Sequence, residues 1–339
     1  MFTIRDVVLE EEKTQMISLL RKHGLDYEHD ITYSVLVYDG DRLVATGSLA
    51  NNIMKCFLVI PDYQQQNITN ILFHHMVHKL EEDGIDHYFV YTIPQNEEIF
   101  TSLHMTKIVE TMNTVLLEGG HTIHEVLSQL KRDYHLSNNK KSCVIINANP
   151  MTLGHLYLIE TAAKDSKELL VFVVSEDQSS FPFVDRFAII KQATAHLPNV
   201  TVLPTLSYLV SHITFPKYFL KEDQLIKDEQ TLVDVLVYKT YYTKIFHINK
   251  RYVGEEPYSF TTAKYNKVLK DHLGQHLVIL PRKEKDNKAI SASLVRKLIK
   301  ADKLDKVKDY VPEATYQYLF SPQGQAIVTL IQASTLRRH

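Results

Sequence analysis

Residues 147–155 read Asn147-Ala148-Asn149-Pro150-Met151-Thr152-Leu153-Gly154-His155. Before them stands a short apolar run, Cys143-Val144-Ile145-Ile146. After them come Leu156, Ile159, Ala162 and Ala163, an apolar rhythm of helical period. The order is therefore strand, tight turn rich in Asn, Pro and Gly, then helix start. In an open α/β sheet this is where ligands bind. A helix N-terminus offers free N–H groups and a partial positive charge, which suits phosphate. Gly154 keeps side-chain bulk away from an approaching phosphate. His155 stands where its imidazole can donate to an α- or β-phosphate oxygen and stabilise a leaving pyrophosphate. Thr152 adds a hydroxyl that can donate to the same anion, and Asn147 and Asn149 add polar side chains for a bound nucleotide. An ordinary strand–helix turn with a capping histidine would contain the same residues, so the rest of the chain must decide.

Downstream, strand-like and helix-like stretches alternate, which implies a parallel sheet. Strands are expected at 143–146, 169–174, 200–203 and 276–280. Helices are expected at 155–165, 184–195, about 231–242, 261–272 and 293–300. Strands as uniformly apolar as Leu169 to Val174 suit a sheet covered on both faces. The architecture expected for 142–339 is a Rossmann-like, doubly wound α/β domain. It has no Gly-x-Gly-x-x-Gly, which argues against a dinucleotide oxidoreductase.

Four further blocks of this half carry chemistry. Ile290-Ser291-Ala292-Ser293-Leu294-Val295-Arg296 offers Ser291 or Ser293 as a helix cap, with Arg296 on the first turn facing the same anion. Arg251-Tyr252-Val253-Gly254-Glu255-Glu256-Pro257 offers Glu255 and Glu256 to orient a ribose or bind Mg²⁺ through water; a solvated turn is the plainer reading. Ser179-Ser180-Phe181-Pro182-Phe183-Val184-Asp185-Arg186 places Arg186 on a helix, where it can cover phosphate, pair with a carboxylate or lie on the surface. Tyr208 to Lys221 is aromatic and basic with a proline break, suited to an acid-substrate pocket or a protein-docking edge.

Residues 1–135 read differently. A strand starts at Phe2–Ile4, and a helix over 10–23 stops at Gly24. Tyr33–Tyr38 and Arg42–Leu49 flank the hairpin signal Asp39-Gly40-Asp41. A strand over 55–60, a polar loop, a helix ending at Gly84, a strand over 87–92, a short helix and two final strands complete the set. Thr122-Ile123-His124-Glu125 is a capping box that opens a helix. The polar stretch Ser137 to Lys141 reads as a linker to the next domain.

The chain has 339 residues, more than one ordinary domain, with 45% hydrophobic and 23% charged residues, the balance of a soluble globular protein. A net charge of −2 makes no electrostatic case for nucleic acid. Cys56 and Cys143, in apolar strand-like runs, are expected to be buried free thiols in a reducing compartment rather than a disulfide or a nucleophile. No secretory pattern opens the sequence and no apolar run approaches the ~20 residues that span a bilayer. A cytoplasmic protein without a membrane partner is the expectation.

Three resemblances rest on these residues. Thr152-x-Gly154-His155 resembles the [His/Thr]-x-Gly-His signature of nucleotidyltransferases, and Ile290 to Arg296 resembles the Ile-Ser-Ser-Thr-x-Ile-Arg motif of that superfamily. The element order of 1–135 is similar to the N-acetyltransferase fold. There Gln64-Gln65-Gln66-Asn67-Ile68-Thr69 stands where that family has a Gln/Arg-x-x-Gly-x-Gly/Ala loop around the pyrophosphate of acetyl-coenzyme A. Asn67 and Thr69 fill both glycine positions, and Leu103-His104-Met105 replaces a later Leu-Gly-Phe. A scaffold or docking domain is expected here rather than a working acetyltransferase. Over nearly its whole length the chain resembles citrate lyase ligases. The pieces are the 147–155 stretch, Phe181 to Arg186, Thr194 to Leu197 with Asn199-Val200, Thr214 to Phe219, Val253 to Pro257, Tyr265-Asn266 and Ile290 to Arg296. The resemblance implies that ATP, with Mg²⁺, and acetate acetylate the prosthetic thiol on the acyl carrier subunit of citrate lyase. The reaction would pass through acetyl-adenylate and release AMP and pyrophosphate. It implies catalytic roles for His155, Thr152 and Arg296, with Asn147, Asn149, Gly154, Arg186, Gly254, Glu255, Ser291 and Ser293 holding the nucleotide. A small-molecule adenylyltransferase, for example of phosphopantetheine, is the alternative.

Overall fold

The computed structural model describes every residue except 1, 65, 176–178, 210–217, 221–222, 256–259, 286–287 and 335–339. The first elements are β1 (Phe2–Asp6), α1 (Glu10–Lys22), β2 (Tyr33–Asp39), β3 (Arg42–Ala50), β4 (Ile53–Val59), α2 (Ile68–Glu82), β5 (Tyr88–Thr92), α3 (Glu97–Ser102), β6 (Thr106–Glu110), β7 (Val115–Gly119) and α4 (Ile123–Asp133). Then come β8 (Lys141–Ile146), α5 (Leu153–Lys164), β9 (Leu169–Val173), α6 (Phe183–Ala193), β10 (Val200–Pro204), α7 (Asp223–Val237), α8 (Thr243–Ile245), β11 (Ile248–Gly254), α9 (Phe260–Leu273) and β12 (Leu277–Leu280). The chain ends with β13 (Glu284–Lys285), β14 (Lys288–Ala289), α10 (Ala292–Lys300), α11 (Leu304–Val307), α12 (Glu313–Leu319) and α13 (Pro322–Ala333). These gather into two compact units: Met1–Leu130 with His212–Val237, and Lys131–Ser211 with Tyr238–His339.

In the first unit, seven strands form one sheet in the order β1-β2-β3-β4-β5-β7-β6. Gly40, at φ 60°, makes the β2–β3 turn that Asp39-Gly40-Asp41 signals. Only β4 and β5 run parallel, and they pair over two positions, Ile53 with Phe89 and Met54 with Val90. α2 buries Ile68, Leu72, Phe73, Met76 and Leu80, an apolar stripe of helical period, against this sheet. The capping box forms as expected: Glu125 N–H donates to Thr122 Oγ1 (3.3 Å), and Thr122 N–H donates to Glu125 Oε2 (2.9 Å). This is the α+β, acetyltransferase-like arrangement. Asn67 explains itself here: at φ 59° it takes the left-handed conformation that glycine takes readily and asparagine tolerates.

In the second unit, β10-β9-β8-β11-β12 form a sheet in which every pair is parallel. All five residues of β9 are buried, as a strand covered on both faces requires. The chain moves outward from β8 to β10 on one side, then starts again at β11 on the other. β8 and β11 are therefore the switch point of a doubly wound sheet, with the crevice outside their carboxyl ends. Val295, Ile299, Val307, Val311, Leu319, Ile327, Val328 and Ile331 form a second core among α10 to α13.

Two expectations change. The helix placed at about 231–242 begins at Asp223, lies in the first unit as far as Val237, and continues through a π turn over Tyr238–Tyr242. β11 is a seven-residue strand absent from the expected set. In α13, Ile327 and Ile331 are buried and Leu330 is 65% exposed. Both cysteines are free and buried.

Candidate active site

Where β8 ends, the turn holds Ala148 at φ 51°. A left-handed alanine costs roughly 1–2 kcal/mol, so something must hold the turn. Arg186 does much of this. It is fully buried on α6. Its Nη1 donates to Asn147 O (2.9 Å), Asn147 Oδ1 (2.9 Å) and Val174 O (2.8 Å), and its Nε donates to Phe181 O (2.9 Å). One guanidinium thus ties the ends of β8 and β9 together. Asn149 Oδ1 accepts from Phe181 N–H (3.1 Å), Thr315 Oγ1 donates to Met151 O (3.1 Å), and Arg296 Nη1 on α10 donates to Asn149 O (2.5 Å).

α5 then starts on a cap of unusual form. Thr152 is the N-cap, 1% exposed, and its Oγ1 accepts from His155 N–H (3.4 Å). The reciprocal group, usually Glu or Gln, is the His155 ring: its Nδ1 accepts the Thr152 backbone N–H (3.1 Å) and lies 3.0 Å from Thr152 Oγ1. With Nδ1 an acceptor, the neutral ring carries its hydrogen on Nε2. Burial, helped by the nearby Arg282 charge, pushes the His155 pKa down from 6.5 to about 4. Near neutrality His155 is thus an uncharged donor with a set orientation.

The second helix start meets the first. Ser291 caps α10 by accepting from Leu294 N–H (3.2 Å). A Cβ added to Gly154 would stand 3.1 Å from Ile290 O and 3.5 Å from Thr152 Oγ1. Any larger residue would press against the Ile290 carbonyl, so glycine is what lets the two starts approach.

Between them opens a cavity of about 390 Å³ at the switch point. Of the residues read from sequence, Asn147, Asn149, Thr152, Gly154, His155, Gly254, Glu255, Ser291 and Arg296 line it. Two do not. Arg186 lies behind the turn, and Ser293 sits within α10 with its Oγ 3.3 Å from Ser291 Oγ. Glu256 falls outside the described residues. A Cβ on Gly254 would meet nothing within 4 Å, so the wall is bare there by choice of residue rather than by crowding.

The sequence reading missed Tyr157, Arg251, Tyr265, Asn266, Arg282 and Lys283, which also line the cavity. Arg251 on β11 is 3% exposed, donates Nη2 to Tyr265 OH (2.9 Å) and lies 4.5 Å from the Tyr238 ring centroid. Lys283 Nζ lies 5.8 Å from the Tyr157 ring centroid. The usable signal was positional: Arg251 lies on the strand that faces β8 across the switch point, and Arg282 and Lys283 follow the end of β12. With Arg296 they make four cations against one carboxylate, Glu255, among the described lining residues. The balance favours a polyanion. No group of three or more His, Cys, Asp and Glu able to hold a metal occurs among the described residues.

A parallel sheet with a crevice at its switch point, two capped helix starts meeting there and a cationic lining define a nucleotidyltransferase-like α/β domain. Residues 141–319 match the family model described as the citrate lyase ligase C-terminal domain. Curated relatives include a citrate (pro-3S)-lyase ligase of Haemophilus influenzae, 32% identical and covering 91% of this chain and 96% of that one. Another, of Escherichia coli, is 29% identical and covers 91% of this chain and 90% of that one. A shorter stretch of 64 residues is 38% identical to a phosphopantetheine adenylyltransferase of Symbiobacterium thermophilum, 18% of this chain and 40% of that one. The chain belongs to the citrate lyase ligase family.

Proposed function

We propose that this chain activates acetate with ATP as acetyl-adenylate and passes the acetyl group to the prosthetic thiol on the acyl carrier subunit of citrate lyase, releasing pyrophosphate and AMP. The observation that carries the reading is the meeting of the α5 and α10 starts in one cationic cleft, in a chain of this family. We assign adenylylation to residues 142–339 and a scaffold or docking role to 1–135, in a cytoplasmic enzyme.

The chemistry asks little of a protein base. Acetate is ionised at neutral pH and attacks the α-phosphorus directly. The site must align ATP and balance charge on the departing pyrophosphate. His155 Nε2–H, held by the cap, suits that charge without a proton transfer. Thr152 works through His155: its hydroxyl is already engaged by the His155 backbone and ring. Arg296 both shapes the turn at Asn149 and lines the cleft. Ser291, the free N–H groups of α10, Arg282 and Lys283 suit the outer phosphates. Gly254 and Glu255 suit the ribose. Mg²⁺ would arrive on the triphosphate, since the described lining offers one carboxylate; when bound it would shield phosphate charge.

Exchange of labelled pyrophosphate into ATP tests the reading. Exchange should require acetate and be indifferent to phosphopantetheine. Exchange that follows phosphopantetheine instead would place the chain with the small-molecule adenylyltransferases that part of it matches.

A further inference from the structure

The first unit contains a cavity of about 560 Å³ with no part in the chemistry above. Its position follows from the sheet. β4 and β5 pair at Ile53–Phe89 and Met54–Val90, then continue to Val59 and Thr92 without pairing to each other. β4 turns away at Cys56, which holds φ 53°. Parting parallel strands leave backbone groups that need other partners. The chain supplies one from far away in sequence. Tyr218 reaches the split and donates its hydroxyl to Tyr91 O (2.8 Å), while Asp26 N–H donates to Tyr218 O (3.0 Å). Tyr218 is 6% exposed and shares a core with Met16, Leu20, Leu36 and Cys56. The following helix is fastened to the same unit: the Glu229 carboxylate, 5% exposed, accepts from Thr111 Oγ1 and from Asn113 Nδ2 (2.8 Å).

We infer that Tyr218 is a built-in plug: it occupies the opening between β4 and β5, satisfies the carbonyl left there, and closes the opening to an extended amide-bearing thiol such as coenzyme A. The cavity beside it is lined by Phe57, Leu58, Phe219 and Tyr218 among others. The first unit is then a scaffold completed by a segment that sequence order assigns to the other half.

The test uses the full chain. Tyr218→Gly should lower the melting temperature, and p-cresol should restore it in a concentration-dependent way, more than toluene, which lacks the hydroxyl; the wild type should not respond to p-cresol. Should that variant not fold, Tyr218→Phe keeps the ring and should still melt below wild type. Calorimetry should detect no saturable binding of coenzyme A to wild type in excess ATP, which blocks the nucleotide cleft. Saturable binding with Tyr218 in place would overturn the inference. So would a Tyr218→Gly chain as stable as wild type, or a Tyr218→Phe chain that melts with it. None of these readouts involves acetate activation, so the inference and the proposed reaction can fail separately.

Discussion

His155 is held by its own helix cap, and that makes it testable. Its pKa falls to about 4 in the fold from 6.5, so between those values the unfolded chain binds more protons than the folded one. The stability linked to His155 is complete above about pH 6.5 and is lost as pH falls from there towards 4. Urea titrations should therefore show wild type losing stability between pH 7 and pH 5 more steeply than His155→Gln. Acetate-dependent exchange should be lost in His155→Ala with the fold intact; near-normal exchange would remove His155 from the mechanism. The two arginines on the turn should separate. Arg296→Ala should weaken ATP use by roughly 2–4 kcal/mol, if it faces developing charge. Arg186→Met should mainly unfold the second unit, by roughly 3–5 kcal/mol, because it strips a buried donor from three carbonyls at once. A urea midpoint unchanged in Arg186→Met would return that residue to the nucleotide.

At the scale of elements, the site is the distance between two helix starts, and Gly154 sets it. Gly154→Ala should push α5 and α10 apart, at about 1–3 kcal/mol of overpacking, and raise the KM for ATP more than it lowers the melting temperature. An unchanged KM would mean the Ile290 carbonyl gives way freely. The strand–turn–helix at 147–155 and the capped helix at 291 were legible because each rests on local signals: apolar period, a hydroxyl cap, a turn rich in Asn and Gly. Arg251, Arg282 and Lys283 were not, because a cation at a strand end acquires meaning only once the strand order places it at the switch point. Arg186 was misjudged for a related reason. An arginine on an amphipathic helix normally reaches solvent or ligand, and nothing local to it announces that the carbonyls after β8 and β9 converge beneath it.

At the scale of the whole chain, sequence order and compact unit part company. Residues 212–237 lie between two strands of the second unit yet belong to the first. A fragment of residues 1–135 lacks Tyr218 and Glu229, and should give a broad, non-cooperative melt; a sharp transition near that of the full chain would show that the inserted segment is dispensable. No helix among the described residues is long and apolar enough to cross a membrane.

Taken alone, the sequence determined the two fold types, the parallel order of the second half, the helix starts suited to phosphate and the burial of both cysteines. All of these follow from period, capping and composition, which act over a few residues. Only the tertiary structure decided that Thr152 serves His155 through the cap, that Arg186 stands behind the turn, that Gly154 yields to Ile290, and that Tyr218 fills the first unit's strand split. Three of these depend on which backbone carbonyl of a different element lies about 3 Å from the position, and the short-range pattern of a sequence does not encode that; the Thr152–His155 cap is local, but which ring nitrogen meets the backbone is set by the folded turn.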